Sequence, residues 1–265
     1  MTRKKLFVAN WKMHFTVVKA IQFLQKFREQ VGNSSAEIVL CTPFTALSAL
    51  RYEINKKVKA TREKGEFSMQ HIRLGAQNLY PKTEGAYTGE ISPMMVKELA
   101  DYVLIGHSER RKLFHETDAV IHDKLVAAHT VGLIPILCLC AVVSQKKELV
   151  NAFTEHKLEI QLKSFVTGLH FDAGQQLVIA YEPVASIGTG NAADPNEIQR
   201  IIHFIRRQLD QQFGSKIAAT TRLLYGGSVI SKNAKLYIDQ PDIDGLLVGS
   251  ASLDADEFAR IIQVQ

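Results

Sequence analysis

Eight short apolar runs recur along the chain, with helical patterns between them: Leu6 to Ala9, Ile38 to Cys41, Ile72 to Ala76, Tyr102 to Ile105, Ile134 to Cys140, Leu177 to Tyr181, Leu223 to Tyr225 and Leu246 to Val248. A sheet with one wet face would alternate apolar and polar residues. These runs are continuous, so each predicted strand is covered on both faces. Strands that alternate with helices are joined in parallel. Eight such units in 265 residues predict one α/β domain over 1–265, a (βα)8 barrel with eight parallel strands inside a ring of helices. A doubly wound open sheet is the alternative. No linker or low-complexity tract divides the chain.

Two of the helices are written clearly. In Asp194-Pro195-Asn196-Glu197, Asp194 can cap, Pro195 takes the first helical position and Glu197 completes a capping box. Ile198, Ile201, Ile202, Ile205 and Leu209 then form one apolar stripe. A second helix is predicted from Thr117-Asp118 to Gly132, turning Val120, Ile121, Leu125, Ala128 and Val131 inward.

Composition narrows the function classes. Hydrophobic residues at 46% can fill a large core. The start Met1-Thr2-Arg3-Lys4-Lys5 leads into only a short apolar stretch, read as neither a signal peptide nor a membrane span, and the protein is expected in the cytosol, away from membranes. Cys41, Cys138 and Cys140 all lie in strand-like runs and read as buried small side chains, with neither a disulfide framework nor a metal-ligand set around them. A net charge of +5 suits an anionic substrate but is ordinary for a soluble protein. The denser basic stretch of Lys56, Lys57, Lys59, Arg62 and Lys64 has no interleaved aromatics and reads as a solvated loop, so no nucleic acid partner is expected.

In a barrel of this kind the chemistry sits on loops at the carboxyl ends of the strands. Glu182 ends the run Leu177 to Tyr181 and is followed by Pro183-Val184-Ala185-Ser186-Ile187-Gly188-Thr189-Gly190. A carboxylate delivered into a proline-started loop, whose glycines let amides approach an anion, reads as a base under a closing lid; the plain alternative is a solvated surface glutamate. Asn10-Trp11-Lys12-Met13 follows the first strand and offers an ammonium group. The fourth strand leads into Gly106-His107-Ser108-Glu109, where the amides of a starting helix would keep the His107 imidazole neutral. Tyr225-Gly226-Gly227-Ser228 and Val248-Gly249-Ser250 end the last two strands, where barrels commonly hold a phosphate on main-chain amides. Together these positions supply a base, a neutral electrophile, a cation and a phosphate cradle.

The chain resembles the triosephosphate isomerases over nearly its whole length. The matching motifs are Asn10-Trp11-Lys12-Met13, Gly75-Ala76-Gln77-Asn78, Gly85 to Glu90, Ile105 to Arg111, Tyr181-Glu182-Pro183-Val184, Ile187-Gly188-Thr189-Gly190, Tyr225 to Val229, and Asp244-Gly245 with Leu247-Val248-Gly249. The resemblance implies an isomerase of central carbon metabolism (glycolysis and gluconeogenesis) that interconverts dihydroxyacetone phosphate and glyceraldehyde 3-phosphate and uses neither cofactor nor metal. It assigns Glu182 as base, His107 as electrophile and proton shuttle, Lys12 as fixed cation and Asn10 as an orienting group. The amides of Gly188, Ser228, Gly249 and Ser250 would hold the phosphate. It also implies a homodimer, with the loop Gln77 to Glu90 inserted into the partner and Thr88 nearest the neighbouring site. A silent or catalytically weak binding or scaffold homologue is the alternative, and loss of Glu182, His107 or Lys12 would have favoured it; none is lost.

Several positions depart from the family pattern. Ala185 stands where a tryptophan is usual at the first lid hinge, and Cys140-Ala141 where Gly-Glu is usual. Because those two partners commonly bond, losing both avoids an orphaned buried polar group, which would cost roughly 1 to 3 kcal/mol; an altered open lid is expected, with the closed state intact. Asn191-Ala192-Ala193 replaces the usual far hinge. Ser250 replaces a glycine, which would be strained if that position needs a positive φ. His115, another glycine replacement, reads as surface variation. The stretch from about Asn55 to His71 is long and basic and reads as an exposed insertion.

Overall fold

The computed structural model describes residues 3–32, 34–63, 72–141, 147–170, 176–183 and 192–264. Its strands are β1 (Leu6–Asn10), β2 (Glu37–Thr42), β3 (Ile72–Ala76), β4 (Tyr102–Ile105), β5 (Ile134–Ala141), β6 (Val178–Pro183), β7 (Arg222–Tyr225) and β8 (Gly245–Val248). They pair in chain order, every pair parallel, and β8 closes on β1. The open-sheet alternative is thereby set aside. The helices are α1 (Val17–Val31), α2 (Phe44–Glu63), α3 (Pro93–Leu99), α4 (Ser108–Leu113), α5 (Asp118–Thr130), α6 (Lys147–Val166), α7 (Pro195–Phe213), α8 (Ser215–Thr220), α9 (Ser231–Ile238) and α10 (Ala255–Ile262).

The continuous hydrophobicity of the strands follows from two separate cores. Leu6, Val8, Val39, Cys41, Tyr102, Leu104, Ile136, Cys138, Cys140, Val178, Ala180, Leu224 and Leu247 fill the barrel interior. Their neighbours in the chain, such as Phe7, Ala9, Leu137, Leu139 and Ile179, pack outward in the second core with the helices. Side chains alternate along a strand, so this parity sends every second residue of β6, from Val178 through Ala180 to Glu182, into the barrel.

Asp244 and Gly245 tie the closing strands. Asp244 accepts the Leu223 amide at 2.9 Å and the Arg206 guanidinium at 2.7 Å. A Cβ on Gly245 would lie 1.7 Å from the Leu6 carbonyl oxygen, so the β1–β8 contact requires glycine there.

The predicted stripe of α7 is buried as expected, but its cap differs: Asp194 accepts from the Asn196 amide at 2.9 Å and not from Glu197, so the capping box is not made. Asp194→Ala is expected to lower stability by about 1 kcal/mol in urea unfolding. In α5, Thr117 caps the first turn and Ile121, Leu125 and Ala128 are buried, whereas Val120 is exposed and the fourth buried position is Lys124. Val120 lies one residue off the i, i+3, i+4, i+7 stripe that Lys124 joins. The basic stretch also departs from expectation. Residues 55–63 continue α2 and are not a loop, because they contain neither glycine nor proline and are rich in Lys, Ala, Arg and Glu; 64–71 lie outside the described residues. His115 is exposed, as surface variation implies, and has φ 56°, a left-handed backbone conformation uncommon outside glycine.

Candidate active site

Seven of the eight expected site residues line one pocket of about 480 Å³ at the carboxyl ends of the strands: Asn10, Lys12, His107, Glu182, Ser228, Gly249 and Ser250. The eighth, Gly188, lies with the lid and the hinge positions Ala185 and Asn191 outside the described residues. Each residue owes its place to a strand end. Asn10 closes β1, Glu182 is carried by β6, His107 follows β4 as the N-cap of α4, and Ser228 and Gly249 follow β7 and β8.

Glu182 is only 2% exposed, yet its carboxylate is well supplied with donors. His107 Nε2 lies 3.0 Å from Oε1, and the Ser108 amide donates to Oε2 at 3.0 Å. Burial would raise the Glu182 pKa, but the His107 ring and the Ser108 amide outweigh it and hold the carboxyl below its ordinary value. On His107, Nδ1 accepts the Glu109 amide at 3.2 Å, so the ring proton sits on Nε2 and points at Glu182. Burial lowers the basicity of this ring, and the adjacent Glu182 more than offsets that, leaving the pKa raised. The helix-end amide and the carboxylate therefore act in opposite directions. A second proton on Nδ1 would sacrifice the Glu109 amide bond, so we assign the neutral, Nε2-protonated ring.

Lys12 has φ 51°, a left-handed backbone that few lysines adopt. Its amide donates to Asn10 Oδ1 at 3.0 Å, and Gln77 Nε2 donates to its carbonyl at 2.8 Å. These bonds hold the turn that lifts the ammonium to Glu109 Oε1 at 2.7 Å. Neither Glu109 nor Gln77 draws a role from the sequence alone, although both stand inside the matching motifs. Beside Ser228, Asn233 donates to the Ser228 carbonyl at 3.0 Å and accepts the Ile230 amide at 2.9 Å, fixing the turn after β7. Ser250 opens a 3-10 helix, Ser250–Leu253, and its φ is not positive, so the strain that a positive φ would have imposed is absent.

A buried carboxylate, an imidazole N–H facing it, and an ammonium at the rim can together move a proton beside a carbonyl and stabilise the resulting oxyanion.

A family profile described as triosephosphate isomerase matches residues 5–265. Among curated proteins, the triosephosphate isomerase of Moorella thermoacetica is 42% identical over 264 residues, covering 98% of each chain. That of Alkaliphilus metalliredigens is 41% identical over 261 residues, 98% of this chain and 99% of its own. That of Clostridium tetani is 40% identical over 261 residues, 98% of this chain and 96% of its own.

Proposed function

The chain belongs to the triosephosphate isomerase family, an intramolecular aldose–ketose isomerase interconverting dihydroxyacetone phosphate and D-glyceraldehyde 3-phosphate, and we propose that Glu182 is its base, His107 its electrophile, Lys12 its fixed cation and Asn10 an orienting group. These are the family's established roles carried onto matching positions. Substrate phosphate is held, on this reading, at Gly188, Ser228, Gly249 and Ser250.

One observation carries the reading: the proton-bearing Nε2 of His107 and the Glu182 carboxylate face each other at 3.0 Å in the pocket that Lys12 also lines. Substrate entering between them separates the pair. Glu182 then takes the proton from the carbon beside the carbonyl, and Nε2–H donates to the oxygen that gains charge. Turning Glu182 away removes the main influence that raises the His107 pKa, while the Glu109 amide stays on Nδ1. The ring is thus a neutral donor when it is needed. The test is turnover of glyceraldehyde 3-phosphate by the purified chain in heavy water. Isomerisation with deuterium entering at C1 of the dihydroxyacetone phosphate formed is expected; conversion without solvent exchange, or no conversion, would sink the mechanism.

Homodimerisation through Gln77 to Glu90 belongs to the same reading. Residues 82–90 are all exposed, and Met13, next to Lys12, is 95% exposed. A second copy whose loop, with Thr88, covers Met13 would bury that apolar side chain beside the site. Sedimentation velocity is expected to give a two-chain species at micromolar concentration, and a fully active monomer would contradict it. Among the described residues no helix is long and apolar enough to cross a membrane. Three free, buried cysteines suit a reducing compartment, which supports a cytoplasmic setting.

A further inference from the structure

We propose that Cys140 is a positioning residue for the isomerisation, its thiol serving as the third donor that holds the resting Glu182 carboxylate in place. The inference rests on Glu182 being the base. β5 and β6 pair with Cys140 directly opposite Glu182, and both point into the barrel, so strand register puts thiol and carboxylate side by side. Cys140 Sγ lies 3.4 Å from Glu182 Oε2, within sulfur hydrogen-bond range, and 3.9 Å from the Gly106 carbonyl oxygen. An ionised carboxylate only accepts, so the thiol is the donor. Burial and the Glu182 charge keep that thiol protonated.

The sulfur is held in place from behind. Gln161 of α6 is buried and grips the Cys140 backbone from both sides, accepting its amide at 3.1 Å and donating to its carbonyl at 2.8 Å. Oε2 therefore rests between a strong donor, the Ser108 amide, and a weak one, the thiol. A weak donor is suited to this position, because it fixes the resting carboxylate yet is readily given up when the carboxylate swings to substrate. The rival reading is packing, since Cys140 also walls off a neighbouring cavity of about 980 Å³ lined by Ser108 and Gln161.

The pH dependence of kcat/KM for wild type, Cys140→Ala and Cys140→Ser separates the two readings. The acid limb reports protonation of the free enzyme's base, and substrate ionisation contributes equally in all three. Losing a donor to the charged form raises the pKa of a carboxylate, so the acid limb of Cys140→Ala is expected to move up by roughly half a pH unit. Serine, a better donor, is expected to restore or over-restore it. An unmoved limb in Cys140→Ala, or equal shifts in both variants, would overturn the proposal in favour of packing. A Glu182→Ala control that stays active would instead overturn the assignment of the base. The S–H stretch in the infrared gives a readout independent of turnover: the wild-type band should lie at lower frequency than in Glu182→Ala, where the acceptor is gone. A band at the same frequency in both would defeat the proposal even if Cys140→Ala did not fold.

Discussion

Glu182→Ala is expected to lower kcat by about 10²- to 10⁴-fold, the usual contribution of a positioned base, while KM changes little. The size of the loss follows from the pocket. Glu182 is the only acidic side chain among the described residues that line it, so no second carboxylate can take over the proton. Nor does the base hold the phosphate, which sits on this reading on the turns after β7 and β8, beside Ser228 and Gly249. Removing it therefore subtracts an interaction made at the transition state and leaves ground-state binding in place. Glu182→Asp keeps the charge but withdraws it by one methylene, and an intermediate loss is expected, because roughly 1 Å of misplacement can cost about 10²-fold. Steady-state kinetics in both directions check this. An alanine variant that kept more than a tenth of wild-type kcat would remove Glu182 from the role of base.

The barrel is legible because its physical requirement covers whole strands: a parallel strand with helices outside and a filled barrel inside must be apolar on both faces, and eight runs meet that condition. The site is legible for a related reason, since polar residues that end such runs can only emerge at the barrel mouth. What escapes depends on contacts between segments distant in sequence. Glu109 acquires its meaning from Lys12, 97 positions away, and Cys140 from the register of β5 on β6. The helical continuation through residue 63 hides behind its charge, which suggests a loop, although Lys, Arg, Glu and Ala are good helix formers. Lys124 has a readable signal that charge masks: it occupies the inward position between Ile121 and Leu125 on the stripe.

That lysine carries the largest expected effect on stability. Lys124 is 4% exposed and its ammonium bonds both Glu116 Oε1 and Asn78 Oδ1, the latter at 2.7 Å. Glu116, whose side chain is 6% exposed, is also bound by Arg110 Nε. Burial pushes the Lys124 pKa down, and Glu116 opposes this without fully reversing it. Lys124→Met is close to neutral in volume but leaves the buried Glu116 charge with Arg110 alone and Asn78 Oδ1 without its donor. Breaking one side of a buried pair costs about 3–5 kcal/mol, which for a chain of this size lowers Tm by on the order of 10 °C. Adding Glu116→Gln should recover part of that loss, because the second change removes the stranded charge; strict additivity would mean the two side chains are not coupled. None of these atoms lines the active pocket, so kcat per folded molecule should stay close to wild type. Asn78 is the second residue of the loop Gln77 to Glu90. If that loop is the dimer contact, Lys124→Met should also loosen the dimer, and thermal unfolding followed alongside sedimentation would show both effects. A Tm within a degree or two of wild type would mean that the buried cation contributes little to holding α5 against the loop.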